Sequence, residues 1–119
     1  MSVLIVGSVA FDSIETATGS DPRALGGSAT YGSVAASFFS PVSLVGVVGE
    51  DFDQENIDLL ASRGIDLEGL ERKPGKTFFW AGKYSADFSE RETLATDLNV
   101  FADFQPHIPE SYRDSQYIF

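Results

Sequence analysis

Two short apolar runs, each closed by a glycine and followed by a helical stretch, constrain this chain more than any other feature. Val3-Leu4-Ile5-Val6 runs into Gly7, and Val42-Ser43-Leu44-Val45-Gly46-Val47-Val48 runs into Gly49. A strand without polar alternation is covered on both faces, as a central parallel strand is. Between the runs, Gly26-Gly27 precedes a segment in which Ala35, Phe38 and Phe39 fall at helical spacing. Ser28 is the predicted N-cap and Pro41 the stop. After the second run, Asp51 and Gln54 form a capping-box variant. Ile57, Leu60 and Ala61 then make one helical face, and Gly64 stands where a C-terminal cap belongs. The order strand, helix, strand, helix predicts an α/β fold built on a parallel sheet.

The remaining segments read differently. Residues 12–25 are mixed and rich in Thr, Gly and Ser, so they read as a loop or a short exposed strand excursion. Residues 77–84 are aromatic and strand-like, residues 85–90 turn-like, and residues 91–98 alternate with Leu94 and Leu98 on one face. Two such runs around a polar turn predict a long antiparallel hairpin over about 77–98. Pro106 and Pro109 break the chain. Gln116-Tyr117-Ile118-Phe119 then starts a further apolar strand, from which the chain is expected to be a fragment or a truncated product.

Composition narrows the function classes. The chain carries 18 acids against 8 bases, a net charge of −10, the opposite of the basic footprint needed on nucleic acid or an anionic membrane. No cysteine is present, which excludes disulfides, thiolate zinc sites and a cysteine nucleophile. No apolar stretch approaches the ~20 residues of a membrane span. Met1 to Val6 has no basic residue before it and reads as a buried strand rather than a leader. A cytoplasmic location is the expectation.

Three segments carry the candidate chemistry. Gly7-Ser8-Val9-Ala10-Phe11-Asp12 is a strand exit leading to an acid, Gly26-Gly27 stands at a helix start, and Val45-Gly46-Val47-Val48-Gly49-Glu50-Asp51 ends the next strand. Ligands of open α/β sheets bind beyond the carboxyl ends of strands and at helix N-termini, where glycine admits close approach and amides can donate. A carboxylate such as Asp12 can accept from two neighbouring hydroxyls of a polyol. The plain alternatives remain open: Asp12 as a turn residue bonded to local amides, and Gly26-Gly27 as a tight turn. Phe78, Trp80 and Tyr84 share one strand face and read as ordinary packing or as ligand contacts. Asp51-x-Asp53-x-Glu55 has the spacing of a calcium loop, but Asn56 takes the place of the required glycine, so it reads as a cap and a solvated face. His107, between Pro106 and Ile108, reads as structural. Walker A, Gly-x-Gly-x-x-Gly and Gly-x-Ser-x-Gly patterns are absent.

The ordered set resembles the N-terminal portion of the PfkB-type carbohydrate kinases, the ribokinase-like family. Gly26-Gly27-Ser28-Ala29-Thr30-Tyr31-Gly32-Ser33 followed by Val45 to Asp51 is similar to that family's first signature. Gly7 to Asp12 resembles its first strand exit, and the aromatic hairpin resembles its lid. The resemblance implies a ribokinase-like, Rossmann-like sheet with helices on both faces plus a small antiparallel β lid. Residues 1–119 would then be the N-terminal part of one domain, with the ATP-binding half absent. It implies acceptor binding by Asp12, Gly26 and Gly27, with Tyr31 and Trp80 as further substrate residues. Where Tyr31 stands the family often has an asparagine that contacts the sugar, so Tyr31 would stack or cap instead.

The family's second signature, a glycine run ending in the catalytic aspartate, does not occur here, so no catalytic residue and no metal ligand is assigned. For the whole protein the resemblance implies ATP and Mg²⁺ as cofactors and transfer of a phosphoryl group to a hydroxyl of a sugar, nucleoside or similar polyol. It adds a homodimer formed through the lid as a partner. Two rival readings stand beside it. One is a non-catalytic binding or regulatory relative of the same fold. The other is an unrelated doubly wound protein with a chance glycine pair.

Overall fold

A computed structural model describes residues 2–119. In chain order the elements are β1 (Val3–Val6), β2 (Ala10–Thr16), β3 (Gly19–Gly26), α1 (Ser28–Ser37), β4 (Val42–Val48), α2 (Gln54–Ser62), β5 (Ile65–Asp66), β6 (Leu70–Arg72), β7 (Phe78–Tyr84), β8 (Arg91–Asp97) and β9 (Tyr117–Ile118). Short 3-10 turns occupy Asn99–Asp103 and Glu110–Tyr112. They build two sheets. The first is parallel, in the order β5-β4-β1-β9, with β6 pairing further along β4. The second is mixed, in the order β3-β2-β7-β8.

The first sheet forms because its strands have nothing polar to show. Alternate side chains leave opposite faces of a strand. Ile5, Leu44 and Val48 therefore point one way, into a cluster with Ala29, Phe52 and Leu60. Leu4 and Val45 point the other way, onto Tyr112, flanked by Val6, Phe104 and Ile108. Both α-helices contribute to the first cluster, so they share one face. The reverse is covered by the irregular stretch around the two proline breaks, not by a helix. Among the described residues both α-helices lie on the face of the first cluster. Tyr112 is the peg of that second layer. Its buried hydroxyl donates to the Asp66 carboxylate at 2.7 Å and accepts from the Gly69 amide at 3.0 Å. Burial, then the Asp66 contact, holds its phenol above the usual tyrosine range.

In the second sheet the hairpin expected at 77–98 is present as β7 and β8, antiparallel with Trp80 opposite Thr96. Its partner is a second hairpin, β2 and β3, which extends the short strand excursion considered for residues 12–25. The two hairpins join through a parallel β2–β7 pairing that sets Ala10 beside Phe78 and Asp12 beside Trp80.

Several local details depart from the sequence reading. The N-cap of α1 is Gly27, at φ 97°, and Ser28 lies inside the helix. Phe38 and Phe39 are 67% and 83% exposed, while Ala29, Thr30 and Ser33 are buried. Small side chains let α1 approach the sheet closely, so its packed face carries no large residue. Asp53, not Asp51, stands at the N-cap position of α2, without a side-chain capping bond, and Ala61 is exposed beside the buried Leu60. Gly64, at φ 74°, donates to Ala61 at 2.9 Å, the cap read from the sequence.

Candidate functional site

The glycine pair and the first strand exit are locked together. The Ser28 amide donates to Ser8 Oγ at 3.0 Å, the two hydroxyls lie 3.1 Å apart, and the Ala29 amide donates to the Ser8 carbonyl at 2.9 Å. A methyl on Gly27 would run into that same carbonyl, its carbon only 2.7 Å away. Gly27 is thus required twice, for its positive φ and for the close crossing. The lock also corrects one expectation. The amides of Ser28 and Ala29 at the helix start already serve Ser8, so they are not free to donate to a ligand.

Beside this lock lies an open cleft of about 320 Å³ between the start of α1 and one face of the second sheet. Its lining includes Asp12, Gly27, Tyr31 and Trp80, together with Ala10, Ser28, Phe78, Tyr84 and Arg91. Gly26 forms the wall behind Asp12: a methyl there would overlap the carboxyl group, with Cγ at 2.6 Å. All five residues singled out from the sequence, Asp12, Gly26, Gly27, Tyr31 and Trp80, therefore converge on one place. Strand alternation explains the gathering, because Ala10, Asp12, Phe78, Trp80 and Tyr84 share a face while Phe11 and Phe79 share the other.

The polar group at the centre is Asp12. Burial raises its pKa above the ordinary carboxylate value. Among the described residues its side chain has no hydrogen-bond partner, so its lone pairs are available. The floor is aromatic. The Trp80 ring lies over Gly82, where a side chain would overlap the indole. Gly82 was not singled out from the sequence, although Trp-x-Gly at i, i+2 is the readable signal. Arg91 was also missed. Its guanidinium lies 5.5 Å from the Trp80 ring centre. Only the cross-strand register, opposite Tyr84, brings it to the cleft.

The third glycine segment does not reach this cleft. Asp51 accepts from the amide and hydroxyl of Thr77 at 2.8 and 2.7 Å, and Thr77 Oγ1 accepts from the buried Gly49 amide at 3.0 Å. Asn99 donates to the Thr77 carbonyl at 2.9 Å. Val45 to Asp51 thus anchors the entrance of the β7–β8 hairpin, and Thr77 ties the exit to it through Asn99. Asp51 and Thr77 line a separate cavity on the opposite face of the second sheet, against Phe11 and Phe79. The acidic cluster Glu50, Asp53, Glu55 and Asp58 is exposed, as the sequence reading had it, and His107 is exposed too.

No protein-family model matches the chain, and no curated protein matches it. Solved structures do. Ribokinase from Cryptococcus neoformans var. grubii serotype A, in complex with ADP, superposes with a TM-score of 0.77 at 21% identity, over 98% of this chain and 40% of that one. Nucleoside kinase from Burkholderia thailandensis in complex with inosine gives 0.64 at 21% identity, over 82% and 37%. Nucleoside kinase from Methanocaldococcus jannaschii, an archaeal member of the ribokinase family, gives 0.66 at 19% identity, over 82% and 37%. These likenesses show the fold: the chain has that of the ribokinase-like sugar and nucleoside kinases. It spans about 40% of the length of the first of them. Among the described residues no helix is long and apolar enough to cross a membrane.

Proposed function

We propose that this chain is the acceptor-binding part of an ATP-dependent kinase that phosphorylates a hydroxyl of a sugar, nucleoside or similar small polyol. The observation that carries the reading is the single cleft in which Asp12, Gly26, Gly27, Tyr31 and Trp80 meet. Asp12 accepts from neighbouring hydroxyls of the acceptor, and a ligand donor there repays the burial of its charge. Gly26 and Gly27 keep the wall thin enough for the hydroxyls to reach the carboxylate. Tyr31 and Trp80 offer flat faces to a sugar or base ring. The second sheet acts as a lid, and closing it over the acceptor excludes water from the reacting hydroxyl.

The nucleotide side lies elsewhere. Among the described residues no group of three or more His, Cys, Asp or Glu is placed to hold a metal ion. In this reading the ATP·Mg²⁺ site is not formed by these residues. The catalytic base and the phosphate-binding amides belong to a part of the protein beyond residue 119. Phosphoryl transfer depends on positioning both halves together, so this chain alone is expected to show no turnover. In this reading the exposed edge strand β8 of the lid pairs with a second copy, because an open strand edge is otherwise an association hazard.

The test is ATP consumption with a panel of sugars and nucleosides, on this chain and on the longer coding product. Turnover by the longer protein and none by the chain is the expected result. Turnover by the chain itself would mean that the chemistry has been misplaced. Acceptor binding without turnover in the longer protein would favour the non-catalytic relative.

A further inference from the structure

Arg91 differs from Arg23 and Arg72, which the fold itself engages. Arg23 pairs with Asp53 at 3.5 Å and donates to the Asp51 carbonyl at 2.6 Å, and Arg72 donates to the carbonyls of Gly49 and Phe52 at 3.0 and 2.9 Å. Among the described residues Arg91 has neither a carboxylate within ion-pair distance nor a hydrogen-bond acceptor. Strand alternation accounts for this. Glu92, next along β8, stands on the opposite face and across from Lys83, while Arg91 stands across from Tyr84 on the cleft face. What Arg91 has instead is the Trp80 ring at 5.5 Å, a platform that steadies the guanidinium and leaves its N–H donors free.

Asp12 is the direct strand neighbour of Trp80, so an acid and an unpaired cation flank the same indole. The cleft has a negative end and a positive end. A neutral polyol would satisfy the first and leave the second idle. A net charge of −10 repels anions from the molecule as a whole, so a cation at this point matters most for a ligand that is itself negative. A guanidinium fork matches the paired oxygens of a carboxylate or a phosphate.

Resting on the acceptor-cleft reading above, we propose that the cleft selects an anionic polyol, a sugar acid or a sugar phosphate, and that Arg91 is the residue that reads the anion. Asp12 holds the hydroxyls at one end while Arg91 holds the carboxylate or phosphate at the other. The proposal makes Arg91 a specificity residue, with no part in the transfer of the phosphoryl group.

The experiment is calorimetric titration of the 119-residue chain with D-glucose, D-glucuronate and D-glucose 6-phosphate, which share a pyranose ring and differ only in the group at C6. The variants are Arg91→Gln, Arg91→Lys and Asp12→Asn. An anionic ligand should bind about tenfold or more tightly than glucose, and Arg91→Gln should erase that difference. Arg91→Lys, which keeps the charge without the fork, should recover part of it. Which of the two anions gains more separates the carboxylate from the phosphate. Arg91 is exposed, so its variants are not expected to disturb folding. Glucose binding as tightly as both anions, with Arg91→Gln changing neither, overturns the anion proposal and leaves the cleft assignment standing. Binding of all three that ignores Asp12→Asn, or no binding of any, overturns the cleft assignment and this proposal with it.

Discussion

The two sheets solve opposite problems with the same kind of strand. In the parallel sheet nearly every side chain of β4 is buried, and Leu4, Ile5, Leu44, Val45, Val47 and Val48 are at most 3% exposed. In the mixed sheet the outer strand β8 is exposed along almost its whole length, and burial is confined to Ala10 and Phe11 of β2, Gly26 of β3 and Gly82 of β7, the last beneath the Trp80 ring. One sheet has a core and the other has a surface. On the acceptor-cleft reading, stability and recognition are separated in this chain: the parallel sheet holds the fold, and the mixed sheet presents side chains on a frame that borrows its rigidity at the crossings. Local opening free energy follows buried apolar contact. Amide exchange should therefore be slowest in β1 and β4 and fastest in β8 and β3, and equal protection of both sheets would break the comparison.

The largest expected effect comes from forcing the crossing at Gly27. Alanine there must adopt φ 97° and push its methyl into the Ser8 carbonyl. Strain and overpacking together should cost about 3 kcal/mol or more, read by urea unfolding. A loss below about 1 kcal/mol would mean that the crossing relaxes freely, and that the two sheets are less rigidly joined than the lock between Ser8 and Ser28 suggests.

Next is Thr77, where the hairpin enters. Thr77→Val keeps the shape and removes the hydroxyl that accepts from the Gly49 amide and donates to Asp51. Leaving a buried amide unpaired should cost ~1–3 kcal/mol. Exchange should speed up in β7 and β8 before β1 and β4. Tyr112→Phe, which strands the Gly69 amide on the far side of the parallel sheet, should cost a similar amount but loosen the body instead. The pair of variants sharpens the comparison, because equal energies are expected to appear in different regions.

This division also governs how much the sequence discloses. The parallel strands are legible because burial on both faces leaves an unbroken apolar run, and Gly64 is legible because its cap is local. The β2–β3 hairpin is harder to read: Ser20, Asp21, Pro22 and Arg23 are all exposed, so no period-two pattern marks the strand, and Pro22 sits at an edge where a missing amide is tolerated. The packed face of α1 is hidden because it is made of Ala29, Thr30 and Ser33 rather than large apolar residues. Asp51 looks like a cap because its partner Thr77 is distant in sequence. Asp12, Gly26, Gly27, Tyr31 and Trp80 could be named through a resemblance, whereas Gly82 and Arg91 depend on which strands pair and in which register. A sequence states propensity and pattern; register is a tertiary fact.

A smaller effect concerns Asp12, where recognition and stability should oppose each other. Burial raises its pKa, so the ionised form is disfavoured in the folded state. A group raised in this way favours the fold at low pH and loses that contribution as pH rises through its folded pKa. Asp12→Asn should therefore raise the midpoint of thermal unfolding of the ligand-free chain at neutral pH, while weakening polyol binding. A lowered midpoint would indicate that the carboxylate is engaged by a partner in the fold, and would count against its availability to a ligand.

The smallest effect lies at the far tip of the β7–β8 hairpin, and its direction is the test. The Asp87 carboxylate accepts from the Ser89 hydroxyl at 2.7 Å, the Ser89 amide at 3.1 Å and the Ser85 hydroxyl at 2.8 Å. Those bonds, the Ser89 hydroxyl first, lower its pKa from 3.8 to about 2. A depressed carboxylate contributes above its unfolded pKa and loses that contribution as pH falls through the folded value. The turn should hold at pH 5 and loosen between about pH 4 and pH 2. Because Asp87 is fully exposed and, among the described residues, its hydrogen bonds run only to Ser85 and Ser89, the loosening should stay local. In an acid titration followed by amide NMR, the Ser89 amide should shift with the Asp87 carboxylate while the β1 and β4 amides keep their positions, and Asp87→Asn should abolish the Ser89 transition. Body amides that move at the same midpoint would show that the hairpin tip and the parallel sheet unfold as one unit, and the separation of a stable sheet from a presenting sheet would fail at its most exposed point.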